Sequence, residues 1–125
     1  WVLITFSRLP CNEACRNNLY KMQQVRLTQG KDAGRVQRVF ITPSAGGDAA
    51  ALASQYAGMQ VFSGAPAELQ KAAQEFIGDE KAFNESERVY LIDPLGNLVL
   101  RYGADADPSG MRKDLARLLR LSQIG

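Results

Sequence analysis

Trp1-Val2-Leu3-Ile4-Thr5-Phe6-Ser7-Arg8-Leu9-Pro10-Cys11-Asn12-Glu13-Ala14-Cys15 is the stretch that decides how the rest of the chain is read. Five of its first six residues are apolar. That density suits a strand buried on both faces. Ser7 to Pro10 reads as a loop. A helix is predicted from about Asn12 to Thr28, because Cys15, Leu19, Met22 and Val25 fall four, three and three apart and form one stripe. Gly30 stands where a helix is expected to end. Both cysteines therefore fall at a strand-to-helix junction.

Working outward, Val36 to Thr42 is the next strand and residues 43–47 are loop. Asp48 is expected to N-cap a short helix reaching about Tyr56. Met59 to Phe62 is a short strand. Pro66 opens a helix to about Phe76, with Leu69, Ala72, Ala73 and Phe76 facing inward. Residues 77–87 form a polar loop of the length that often carries function. Arg88 to Asp93 is a strand, Pro94-Leu95-Gly96 a tight turn, and Asn97 to Tyr102 its antiparallel return. Asp107-Pro108 caps a last helix. Met111, Leu115, Leu118, Leu119 and Leu121 are expected on its inner face, and Arg112, Lys113, Arg117 and Arg120 on its outer one.

Strands separated by helices imply a parallel part of a sheet, and the closing hairpin adds an antiparallel part. The reading is an α/β fold with a central mixed sheet flanked by helices, in the thioredoxin-like arrangement. The length of 125 residues suits one domain, residues 1–125. No internal repeat or low-complexity tract interrupts it.

Composition excludes several chemistries. The chain has no histidine, so neither a Ser-His-Asp triad nor a Cys-His pair can be built. Its two cysteines cannot make a four-cysteine zinc site. A net charge of +2 with no basic stripe argues against nucleic acid as a partner. The apolar runs fall far short of the roughly 20 residues of a membrane span. The abrupt opening in a strand suggests a soluble piece of a longer chain, from which an upstream membrane anchor or signal has been removed.

Chemistry is expected at Cys11 and Cys15. Residues four apart on a helix have Cα atoms about 6 Å apart, within disulfide reach. Cys11, at or just before the helix N-terminus, benefits from free N–H groups and the helix dipole, which stabilise a thiolate. Arg8 and Arg16 add positive charge there, and Glu13 opposes it. Cys11 is thus the candidate attacking thiol and Cys15, on the apolar stripe, the resolving one. A structural disulfide, or two small unpaired core residues, are the alternatives. The βα location favours redox or metal chemistry.

Residues 5–15 resemble the cysteine loop of the Sco/SenC family of cytochrome c oxidase assembly proteins. Val89-Tyr90-Leu91-Ile92-Asp93-Pro94-Leu95-Gly96-Asn97 is similar to that family's strand-turn-strand segment, and Ser63-Gly64-Ala65-Pro66-Ala67-Glu68-Leu69 to its strand-to-helix step. The resemblance implies a thioredoxin-like domain, membrane-anchored on the periplasmic face of the inner membrane. It implies handling of copper or of thiols while the copper-A site is assembled. The partner would be cytochrome c oxidase subunit II or another assembly factor. It further implies that Cys11 and Cys15 are metal ligands, joined in the family by a histidine. In this chain Asn84-Glu85-Ser86 occupies that segment, so Glu85 stands in the histidine's place. Cu(I) is soft and a carboxylate suits it poorly. Glu85 is then either a solvated loop carboxylate or a group that approaches Cys11 and raises its pKa by like charge.

Three functions follow. The first is an accessory protein of oxidase assembly, acting as a thiol-disulfide oxidoreductase or weak copper carrier through Cys11 and Cys15. The second is a non-catalytic binding module that has lost the copper site. The third is a general periplasmic thiol-disulfide reductase.

Overall fold

A computed structural model describes residues 1–43, 47–64, 88–103 and 105–122, with the single positions 67 and 71. The helix expected from Pro66 to Phe76, apart from the helical positions 67 and 71, and the loop carrying Glu85 lie outside the described residues.

The strands are β1 (Val2–Phe6), β2 (Gln37–Thr42), β3 (Gln60–Ser63), β4 (Val89–Ile92) and β5 (Leu98–Tyr102). The helices are α1 (Glu13–Leu27), α2 (Gly47–Gln55) and α3 (Pro108–Leu121). The five strands form one sheet in the order β3-β2-β1-β4-β5. β1 runs parallel to β2 and β2 to β3, while β4 runs antiparallel to both β1 and β5. The expected mixture of parallel and antiparallel pairing is present, and helices flank the sheet.

β1 is central because it pairs on both edges: Ile4 lies opposite Val39 on one side and Tyr90 on the other. Alternation along the strands sets two faces. Leu3, Phe40, Val89 and Leu91 look toward the larger core, which also holds Cys15, Leu19, Met22 and Val25 of α1 and Met111, Leu115 and Leu119 of α3. Burying a Leu or Met side chain is worth roughly 1.5–3 kcal/mol. The opposite face carries Phe6 and Tyr90, packed edge to face with ring centroids 5.9 Å apart, and Ile4, Ile41 and Leu98 around them. Burial of β1 is uneven: Leu3, Thr5 and Phe6 are buried, whereas Val2 and Ile4 are only half-buried.

Polar contacts fix the helix ends. Asp107 accepts a hydrogen bond from Ser109 N at 2.9 Å, and Pro108 occupies the first helical position of α3. Its other end is held by Arg35, whose Nη1 and Nη2 donate to Leu119 O and Ser122 O at 3.0 and 3.1 Å. Between β4 and β5, Asp93 Oδ1 accepts from Leu95 N at 3.0 Å and Asn97 N at 2.8 Å, and Gly96 takes φ +87°. Those backbone donors, Asn97 first, hold the Asp93 carboxyl below the usual carboxylate range.

Three sequence expectations need correction. The helix after β1 reaches its C-cap at Thr28 as expected, but Gly30 is not what ends it: Gly30–Arg35 forms a separate 3₁₀ turn opened by Gly30 at φ +58°. Asp48 lies inside α2 rather than before it, since that helix starts at Gly47. Leu121 is 71% exposed, because α3 has turned its apolar stripe away from the sheet by its final residue.

Candidate functional site

The strand-to-helix junction holds both cysteines. β1 ends at Phe6, but Ser7 N still donates to Ile41 O at 3.1 Å, so the sheet grips the chain one residue further. The Leu9–Pro10 peptide is cis. Asn12 then opens α1. Its Oδ1 accepts from Cys15 N at 2.9 Å, and its backbone oxygen accepts from Arg16 N, also at 2.9 Å. A side-chain oxygen that satisfies an otherwise free first-turn N–H is what makes Asn a favoured cap.

Cys11 and Cys15 are joined as a disulfide, with Cα atoms 5.3 Å apart. Cys11 lies just outside the helix, one residue before the cap, and not on its first turn. Cys15 is the third helical residue. The bond therefore links the incoming loop to the first turn of α1. The two sulfurs differ in surroundings: Cys11 is half-buried, while Cys15 is 2% exposed and packed in the main core.

The expected positive charge is placed unevenly. Arg16 Nη1 donates to Cys11 O at 2.7 Å, which ties the guanidinium to the backbone of the cysteine. Arg8 and Glu13 are exposed. As a disulfide, neither sulfur titrates.

Two buried polar residues escaped the sequence reading. Asn18 is 0% exposed, and neither its Oδ1 nor its Nδ2 has a hydrogen-bond partner. Its signal was present: position 18 falls on the stripe of Cys15, Leu19, Met22 and Val25. Arg38 on β2 is 4% exposed and donates from Nη2 to Ala57 O at 2.6 Å, with Nε and Nη1 unpartnered. Burial, and then the neighbouring Arg26, lower its pKa. Gly58 takes φ +86°, and a Cβ there would crowd Arg38 Nη2 at 3.2 Å.

Among the described residues, no group of three or more His, Cys, Asp or Glu side chains comes together as a metal cage. The described donor set for a metal is the two sulfurs alone, and they are bonded to each other. As a disulfide they do not fit a copper ion. Reduced, they would present two soft donors of the kind Cu(I) prefers.

Residues 1–122 match the family described as the transmembrane-like, thioredoxin-like, C-terminal domain, and the chain belongs to that family. No curated protein sequence matches it. Its structural neighbours are Sco/SenC proteins. ScoI of Bradyrhizobium japonicum with copper bound is 25% identical, with a TM-score of 0.71 over 93% of this chain and 83% of its own. ScoI of Arabidopsis thaliana with copper bound is 19% identical, with a TM-score of 0.79 over 98% and 85%. A SCO1/SenC family lipoprotein of Bacillus anthracis is 17% identical, with a TM-score of 0.71 over 94% and 80%. The likeness covers nearly the whole chain, as the resemblance of the cysteine loop and the hairpin implied, and the fold is thioredoxin-like.

Proposed function

We propose that this domain serves cytochrome c oxidase assembly by thiol–disulfide exchange through Cys11 and Cys15. Its setting would be the periplasmic face of the inner membrane, and its partner oxidase subunit II or another assembly factor. The observation that carries the reading is the Cys11–Cys15 disulfide at the start of α1, with one sulfur half-buried and the other enclosed. The likeness to Sco/SenC structures supports the oxidase connection.

In the reducing direction the Cys11 thiolate attacks a partner disulfide. A Cys11–partner bond forms, and one partner sulfur leaves as thiolate. The Cys15 thiolate then attacks Cys11 Sγ, closing the intramolecular disulfide and releasing the second partner sulfur. The partner gains two electrons and two protons, and this domain loses them. The asymmetry of exposure supports this order, because Cys11 is half-buried while Cys15 is enclosed in the core.

Copper as cargo is the second reading, motivated by the copper-bound neighbours and the soft sulfur pair. It requires the reduced state, since a disulfide has no thiolate to offer. An anaerobic Cu(I) titration of the reduced protein, with Cys→Ser controls, separates the two. Binding tighter than a competing chelator favours copper carriage. Intact exchange without binding favours redox. A cell in which the Cys11→Ser, Cys15→Ser double variant keeps full function contradicts both, and points to a binding module. Equal reduction of unrelated disulfides points to a general reductase.

A further inference from the structure

Asn18 lies one helical turn beyond Cys15, on the face that Cys15, Leu19, Met22 and Val25 turn to the core. It is fully buried and both polar atoms of its amide lack partners. A buried amide without hydrogen bonds is costly, and a natural one calls for an explanation. An apolar residue would satisfy the stripe better. The explanation lies in what happens to its neighbour.

Cβ atoms three residues apart on a helix are about 5–6 Å from each other. Side chains on a helix also tilt toward its N-terminus. That tilt directs the Asn18 side chain toward the helical turn that carries Cys15. Cys15 holds the enclosed sulfur of the pair, which solvent barely reaches. Its own backbone N–H is already given to Asn12 Oδ1, and the Arg16 guanidinium is turned to Cys11 O. A sulfur freed there would find neither group available.

We propose that Asn18 is a hydrogen-bond donor held in reserve for Cys15 Sγ, unpaired while the disulfide is closed and paired once it is reduced. The inference rests on the exchange reading above. A thiolate of a partner dithiol attacks Cys11 Sγ, forming a mixed disulfide. The Cys11–Cys15 bond breaks and its electron pair stays on Cys15 Sγ. Asn18 Nδ2–H then donates to that sulfur until it takes a proton. The second partner thiolate attacks the first partner sulfur, and Cys11 leaves as thiolate and is protonated. The domain gains two electrons and two protons, and the partner dithiol becomes a disulfide. Asn18 acts through Cys15, and so is a positioning residue.

The test is a glutathione redox titration of the whole domain as wild type, Asn18→Leu, Asn18→Val and Asn18→Thr, with thermal melts of the oxidised forms. Asn18→Leu removes the amide at similar size. It is expected to leave the oxidised form at least as stable as wild type, yet to shift the equilibrium about tenfold toward the disulfide. Asn18→Thr and Asn18→Val share a shape and differ by a hydroxyl donor, and so carry the test should the leucine variant not fold. The threonine variant is expected closer to wild type than the valine variant. An unchanged equilibrium in Asn18→Leu, or equal shifts in the threonine and valine pair, would overturn the proposal. Glutathione reads the cysteine pair by itself. Failure of the proposed function would show separately, as absent exchange with the copper-A subunit while the glutathione result stands.

Discussion

The N-termini of α1 and α3 are built alike and differ in what they carry. Each opens with a side-chain oxygen that accepts a first-turn N–H at 2.9 Å, from Asn12 in α1 and from Asp107 in α3. Each helix then turns an apolar stripe into the same core, and the two helices lie side by side. At α3 the cap is followed by Pro108, Ser109 and Gly110, which have no redox chemistry. At α1 a sulfur stands before the cap and another three residues after it, and they are bonded. The lesson is that the helix start supplies a setting, a capped turn with a favourable dipole, and that the bonded cysteines are what set the start of α1 apart from that of α3.

The largest effect belongs to the sulfurs. Cys11→Ser is expected to reduce disulfide exchange to background in a partner-thiol assay. Cys15→Ser is expected to stop at a mixed disulfide, visible as a covalent adduct on a non-reducing gel. No substitution at the start of α3 should do either, and an Asp107→Ala variant with impaired exchange would break the comparison.

The stripes behind the two caps should be equivalent in stability. Leu19→Ala in α1 and Leu115→Ala in α3 each remove a fully buried side chain. Each is expected to cost about 2–5 kcal/mol in denaturant unfolding, as large-to-small core changes do. A large difference between them would show that one helix is held by something besides the shared core.

The caps come next. Asn12→Ala and Asp107→Ala are each expected to cost about 1 kcal/mol. Only Asn12→Ala should also change the exchange rate, because its oxygen holds the N–H of Cys15. Equal exchange in the two variants would mean that the α1 cap serves stability alone.

The smallest effect lies at the other helix. Tyr102 donates its hydroxyl to Asp114 Oδ2 at 2.9 Å. Burial first, and then that carboxylate, hold its pKa above the free value near 10. A raised folded pKa means that its contribution to stability is whole below about pH 10 and is lost as the pH rises toward the folded value. Urea midpoints of wild type should therefore fall above pH 10 more steeply than those of Tyr102→Phe, and identical slopes would contradict this.

Much of this was legible in the sequence. The dense apolar run at residues 1–6, the four-three-three spacing from Cys15 and the Pro94-Leu95-Gly96 turn between two apolar runs showed the chain order of the elements and the mixture of parallel and antiparallel pairing, but not the sheet order with β1 at its centre. The cysteine pair was legible because a βα junction is where a helix dipole meets a loop. What escaped was the behaviour of single positions. Gly30 starts a 3₁₀ turn, since Thr28 had already closed α1. Leu121 follows the apolar pattern but lies beyond the reach of the sheet. Asn18 lies on the apolar stripe and its burial was legible there, whereas the burial of Arg38 is a property of the assembled core and not of the local pattern. Glu85, read as standing in a histidine's place, lies outside the described residues.

The most direct measurement mixes the reduced domain with the disulfide form of the oxidase copper-A subunit, without oxygen, and counts free thiols on each by mass spectrometry. Two thiols are expected to pass from Cys11 and Cys15 to the subunit, with Cys15→Ser arrested as a one-to-one covalent adduct. Subunit thiols that stay oxidised, with no adduct from Cys15→Ser, would contradict thiol–disulfide exchange as the work of this site.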